Sequence, residues 1–233
     1  MSPFPNPPPF PPSSSVSANP RISNTNANIA PPQALWGVDF NLYCASAGIR
    51  RVHMHQGTNY HYAAWQPIST PNATIGTKPP YYGNIAVASM LGDLTKANVT
   101  ITYIPLSSEL ESAYAAYVDG ELARVAIINL AEYNYTDSSG AAHTTKPRPR
   151  VTYNISVPSI YGGQSVGVQR LMANGSDALS GITWDGYSYN WELDEGRPVL
   201  LRNVTRGETV KIGPGGQLQV VLPFSSVAIV DLS

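Results

Sequence analysis

Apolar residues recur at Leu35, Val38, Leu42 and Ala45, spaced i, i+3, i+7 and i+10, and this stripe predicts an amphipathic helix in the block that opens at Ala34. Gly48 stands where a left-handed residue would end it. Ile49 to Gln56 (IRRVHMHQ) then predicts a short strand, Gly57-Thr58-Asn59 breaks it into a loop, and the aromatic-rich run Tyr60 to Trp65 follows. Beyond a loop of Pro, Thr and Asn, Gly83 to Leu91 (GNIAVASML) predicts a second helix. Helix, strand, loop and helix in this order resemble the closing segment of an α/β architecture, where ligand residues sit just past the C-terminal end of a strand.

From about residue 96 the period shortens to two. Val99 to Leu106 alternates, and Ala113 to Val118 and Leu122 to Leu130 are two runs separated by Asp119-Gly120, a strong hairpin signal. Further strands are expected at 150–157, 166–172, 186–191, 198–204, 208–212, 217–222 and 226–232, parted by turns such as Gly162-Gly163 and Gly213-Pro214-Gly215-Gly216. Many short strands at this spacing predict an antiparallel β-sandwich over residues 96–233, long enough for a core of its own. The chain is thus expected to be mainly β, with a helix–strand–helix segment at 34–95. Residues 1–33, dominated by Pro, Ser and Asn, are expected to be a disordered leader, because they bury too little apolar surface to offset their ordering entropy.

Composition narrows the function classes. With 42% hydrophobic and 12% charged residues the chain is globular beyond its leader, and a net charge of −1 with scattered Lys and Arg gives nothing that draws it to nucleic acid or an anionic membrane. No run approaches the roughly 18 apolar residues of a spanning helix. Cys44 is the single cysteine, so there is no intrachain disulfide. Asn72, Asn98, Asn134, Asn154, Asn174 and Asn203 each head an Asn-x-Ser/Thr triplet, which points to a secreted glycoprotein, although Met1 to Ser15 has neither the basic nor the apolar region of a secretory signal.

The chemistry-bearing residues are sparse. No glutamate precedes Glu109, and the earlier acids are Asp39 and Asp93, each at a predicted helix. The later carboxylates, among them Glu111, Glu132, Glu192, Asp194 and Glu195, fall in predicted turns and hairpins and read as solvated charges. Gly163 to Gly167 matches the G-x-S-x-G pattern, but both flanks read as strands and no histidine follows His143, so it is not a nucleophile elbow. His53 and His55 share one face of the predicted strand near His61; no third ligand accompanies them, so no metal is expected, and nothing calls for a cofactor. The best candidate site is the stretch His55 to His61. There, backbone N–H groups beside a glycine and a tyrosine phenol can bind a carboxylate, while Tyr62 and Trp65 offer apolar faces to a pyranose ring.

ALWGVDFNLYCASAGIRRVHMHQGTNYHYAAWQPI (34–68) and KPPYYGNIAVASMLG (78–92) resemble the closing part of the barrel in fungal family 79 glycoside hydrolases, the β-glucuronidase family. VQRLMANGSDALSGITWDGYSYN (168–190) and the ending VVLPFSSVAIVDL are similar to that family's C-terminal β domain. The resemblance implies a partial (β/α)8-barrel segment followed by a β-sandwich, and in the full-length family a retaining hydrolysis of β-glucuronides on glucuronide-containing glycans. It places both catalytic glutamates upstream of the ALW segment. Where the nucleophile's neighbourhood should stand, this chain has NTNANIAPPQ (24–33), so no catalytic residue is assigned and the chain alone is expected to be inactive. It also implies that Gly57, Thr58, Asn59 and Tyr60 form the loop that contacts the glucuronate carboxylate. Residues 34–95 are expected to dock on the sandwich and leave an apolar patch. The alternative is a non-catalytic carbohydrate-binding or interaction module, with Trp184, Tyr187, Tyr189 and Trp191 as an aromatic platform.

Overall fold

A computed structural model describes residues 32–58, 60, 62–71, 73–136 and 143–233. The expected leader lies outside them, except that Pro32 and Gln33 already belong to the first helix.

That helix, α1, runs Pro32–Ser46. Gly48 ends it at φ +81°, with the Ile49 amide donating to the Cys44 carbonyl and the Gly48 amide to the Ala45 carbonyl, the paired bonds of a Schellman cap. Ile49 to Gln56 forms no strand, contrary to the sequence reading. A strand needs a neighbour for its edge groups, and the described chain supplies none on either side of this segment. After it come two short paired strands, β1 (Trp65–Gln66) and β2 (Gly76–Thr77). Helix α2 spans Pro79–Leu91, opened by prolines at its first two positions, where a missing N–H costs nothing. The two helices touch at Gly83, where a Cβ would stand 2.6 Å from the Ala34 carbonyl oxygen.

The strands that follow are β3 (Val99–Ile104), β4 (Glu111–Val118), β5 (Glu121–Asn129), β6 (Arg150–Ser156), β7 (Ser165–Met172), β8 (Thr183–Trp184), β9 (Tyr187–Ser188), β10 (Val199–Leu200), β11 (Glu208–Lys211), β12 (Gln217–Pro223) and β13 (Ser226–Asp231). Asp119 and Gly120 join β4 to β5 with φ of +50° and +92°, the double left-handed turn that the sequence predicts. The expected strand at 186–191 shrinks to β9 and gives way to a short helix, α3 (Trp191–Asp194), capped by Asn190, and 198–204 shrinks to β10.

Nine strands form one antiparallel sheet in the order β10-β9-β8-β7-β13-β5-β4-β3, with β11 paired to β7, and β6 and β12 pair separately. Its central strands are apolar on both faces. From β13, Val227 and Ile229 point into a core with Leu35, Val38, Leu42, Ala86 and Met90 of the two helices. Ala228 and Val230 point the other way, into a core with Leu218, Val220 and Leu222 of β12. The molecule is therefore the expected antiparallel sandwich with a helical layer added to its larger sheet. Polar groups fasten the layers. The Tyr114 hydroxyl donates to Asp39 Oδ1 at 2.7 Å, joining β4 to α1. Arg148 donates to the carbonyls of Phe224, Ala173 and Ser225 at 2.7, 2.7 and 2.9 Å, tying three segments together at one end of the sandwich.

Candidate functional site

The segment between α1 and α2 closes on itself through a small set of polar bonds. Gln56 turns its side-chain carbonyl to accept from the Ala64 amide at 2.9 Å, bringing residues eight apart together. The Tyr60 carbonyl accepts from the Ala63 amide at 3.3 Å and from Lys78 Nζ at 3.1 Å. The Lys78 amide donates to the Ala64 carbonyl at 3.0 Å. The base of α2 thus holds the far side of the loop.

Within it, Gly57 has φ +136°, and a Cβ there would meet Cδ2 and Cε2 of Tyr60 at 3.3 Å. Glycine is required both by the backbone and by the ring above it. Tyr60 stacks on His55 with centroids 5.5 Å apart and planes 12° apart. Its side chain is half exposed, and its hydroxyl has no hydrogen-bond partner among the described residues. A phenol fixed at the ring and free at the oxygen is poised to donate to an anion. Thr58 lies exposed in the same loop; Asn59 and His61 lie outside the described residues. Beside the loop, a shallow pocket is lined by Trp36, Asn41, Met54, Gln56, Tyr62 and Asn84. Trp36 contacts Tyr62 at 5.1 Å and stacks on Phe40 at 5.0 Å.

Gly57, Thr58 and Tyr60 lie in one loop, with the Tyr60 ring folded over Gly57. Of the two aromatic neighbours expected, Tyr62 faces this pocket, but Trp65 turns away to pack edge-on against Trp191. Two contributors escaped the sequence reading. Trp36 sits on the outer side of α1, off the apolar stripe that defined the helix. Lys78 is 5% exposed, a burial that sequence does not foretell for a lysine; the one signal is its isolation as the single Asp, Glu, Lys or Arg between Arg51 and Asp93.

The four residues of the alternative platform on the sandwich differ in exposure. Trp184 is 6% exposed, and Tyr187, Tyr189 and Trp191 are half-buried, Tyr189 packing against Tyr81 and Tyr82 of α2. Several carboxylates are engaged in structural contacts. Glu111 accepts from the Tyr153 hydroxyl, Glu208 holds Arg170 at 2.6 and 2.7 Å, and Asp177 accepts from the Tyr135 and Thr136 amides and the Thr136 hydroxyl. Burial pushes the Asp177 carboxyl up, and these hydrogen bonds outweigh it, leaving it below its ordinary value. Ser165 of the G-x-S-x-G match opens β7 opposite Lys211, with no helix after it. Among the described residues no three His, Cys, Asp or Glu side chains gather as a metal site. Cys44 is buried, which raises its thiol pKa and leaves it unreactive. Asn98, Asn134, Asn154, Asn174 and Asn203 are all exposed; Asn72 lies outside the described residues. No described helix is long and apolar enough to cross a membrane.

Known proteins share this sequence and fold. The model of the glycosyl hydrolase family 79 C-terminal beta domain matches residues 113–229. A β-glucuronidase of Aspergillus niger is 56% identical over 85% of this chain and 37% of its own length. One from Neurospora crassa is 51% identical over 91% of this chain and 42% of its own. The chain therefore spans about two fifths of the length of these relatives. In structure it is similar to a 4-O-α-L-rhamnosyl-β-D-glucuronidase of Fusarium oxysporum solved with Rha-GlcA, at a TM-score of 0.67 and 22% identity, over 88% of this chain and 40% of that one.

Proposed function

The chain belongs to glycoside hydrolase family 79, and on that premise we propose that it is the C-terminal portion of a β-glucuronidase-like enzyme whose catalytic glutamates lie outside it. Residues 34–95 are then the closing βα segment of a (β/α)8 barrel and residues 96–233 the β domain. Retaining hydrolysis needs two carboxyl groups about 5–5.5 Å apart across the sugar, and Glu111, Asp177 and Glu208 are instead bonded to groups of the sandwich. The role left to this chain is recognition. The Gly57–Tyr60 loop, Asn59 included, receives the glucuronate carboxylate through the Tyr60 phenol and neighbouring backbone N–H groups.

The observation that carries this reading is the Tyr60 phenol, stacked in place on His55 with its oxygen free. Two further features support the barrel assignment. Ile49 to Gln56 has the composition of a strand but pairs with no described segment, as a barrel strand would without its neighbours. Trp36 and Phe40 of α1 form with Tyr62 an aromatic cluster off the apolar stripe that faces the sandwich, as a helix with a second apolar neighbour would. An extracellular glycoprotein, with glycans on the exposed sequons and on Asn72, fits the same picture. Nothing in the reading involves nucleic acid, a membrane or a cofactor.

The test is a chimera in which residues 34–233 replace the matching C-terminal part of the Aspergillus niger β-glucuronidase, assayed on a chromogenic β-glucuronide beside the 233-residue chain alone. The chimera is expected to turn over and the chain alone is not. Turnover by the chain alone would mean that carboxylates assigned here to structure are catalytic.

A further inference from the structure

Lys78 has no need to be charged for the structural task it performs. Its residue is 5% exposed at the N-cap of α2, and its side chain does not cap the helix. Nζ makes one hydrogen bond, to the Tyr60 carbonyl at 3.1 Å. None of the ion pairs among the described residues includes it. An ammonium withdrawn from water with one neutral acceptor is costly, and a neutral donor would hold a carbonyl at less expense to stability. The burial accordingly pulls the lysine pKa down. Two N–H groups of the ammonium remain without acceptors among the described residues.

The cation is also placed where an anion is wanted. It bonds the backbone carbonyl of Tyr60, the residue whose phenol is free, and that carbonyl is fixed again by the Ala63 amide. Backbone N–H groups and a phenol can orient a carboxylate, but none of them neutralises it. An ammonium with no ion-pair partner, withdrawn from water and bonded to the backbone of the same tyrosine, supplies that missing charge.

Resting on the glucuronate-loop reading above, we propose that Lys78 is the positioning and specificity residue of the loop, holding Tyr60 in register and supplying the positive potential that selects a uronate pyranoside over its neutral counterpart.

The experiment is an amide-resolved NMR titration of the 233-residue chain with methyl β-D-glucuronide and, separately, methyl β-D-glucoside, for the wild type, Lys78→Met, Lys78→Arg and Tyr60→Phe. In Lys78→Met, affinity for the glucuronide is expected to fall about ten-fold or more while affinity for the glucoside holds, because a charge contact in a partly desolvated site is of that order. A purely structural role would weaken both ligands together. Lys78→Arg keeps the charge and retains part of the preference. If Lys78→Met does not hold the fold, a folded Lys78→Arg variant that binds the two glycosides equally overturns the proposal. Loss of glucuronide binding in Tyr60→Phe, with Lys78→Met unchanged, overturns the role of Lys78 and leaves the loop reading standing. No preference for glucuronide in the wild-type chain overturns both.

Discussion

Replacing Gly83 by alanine sets two effects of opposite sign against each other, and the structure says which wins. In an open helix, Gly→Ala stabilises by roughly 0.5–1 kcal/mol through backbone entropy. Gly83, however, lies buried at the crossing of α1 and α2, and a Cβ there would stand 2.6 Å from the Ala34 carbonyl oxygen and 3.3 Å from its carbon. Backbone atoms cannot rotate away as a side chain does, so the helices must part, and overpacking of this kind costs about 1–3 kcal/mol. The net expectation is a destabilisation of about 1–2 kcal/mol, or about 2–8 °C in Tm for a chain of this size. The matched control is Gly37→Ala in α1, where a Cβ would meet nothing within 4 Å; it should gain up to about 1 kcal/mol. Urea unfolding followed by far-UV circular dichroism reads both as midpoint shifts at constant slope. Stability unchanged or raised in Gly83→Ala would refute the close approach of the helices.

Three other substitutions probe the fastening of the layers. Arg148→Met leaves three carbonyls without their donor and should cost about 3 kcal/mol in urea unfolding, with little rescue by Arg148→Lys, whose single ammonium cannot span the same fork. Tyr114→Phe removes the hydroxyl that reaches the Asp39 carboxylate and should lower stability by about 1.5–3 kcal/mol. Asp177→Asn should cost about 1 kcal/mol at pH 7, allowing for the partial exposure of the carboxylate. Because the folded-state pKa of Asp177 is depressed, its contribution is present above the ordinary value of 3.8 and lost as pH falls through the folded one. The difference between Asp177→Asn and wild type in thermal melts should therefore shrink in acid; a difference that grows there would contradict the assignment.

The sandwich was legible because each of its signals is local. Asp119-Gly120 dictates a turn that few other dipeptides accept, and alternation along β6 and β12 marks strands with one wet face. The two-sided burial of β13 is less explicit, since an unbroken run such as SVAIV fits a buried strand without saying what covers it. What failed to follow depended on partners far away or outside the described residues. Ile49 to Gln56 has the composition of a strand, but pairing is a property of two segments, and only one is described. The strands expected at 186–191 and 198–204 were cut short by Asn190, which caps α3, and by Asn203, which turns left-handed at φ +61°. The loop residues Gly57, Thr58 and Tyr60 were singled out by their types and by the family resemblance, but the bonds that hold their loop were not legible. Gln56 and Lys78 act through bonds to backbone atoms at the far end of the loop, and no spacing rule connects them.

The central claim is that this chain supplies the uronate-recognising loop of a β-glucuronidase-like enzyme. Its most direct test is kcat/KM of the chimera carrying Tyr60→Phe, on a β-glucuronide and on the corresponding β-glucoside. Loss of one hydrogen bond to a charged group predicts a fall of roughly 10- to 150-fold on the glucuronide, with the glucoside rate unchanged. Equal rates for the mutant and its parent on the glucuronide, or an equal fall on both substrates, would contradict it.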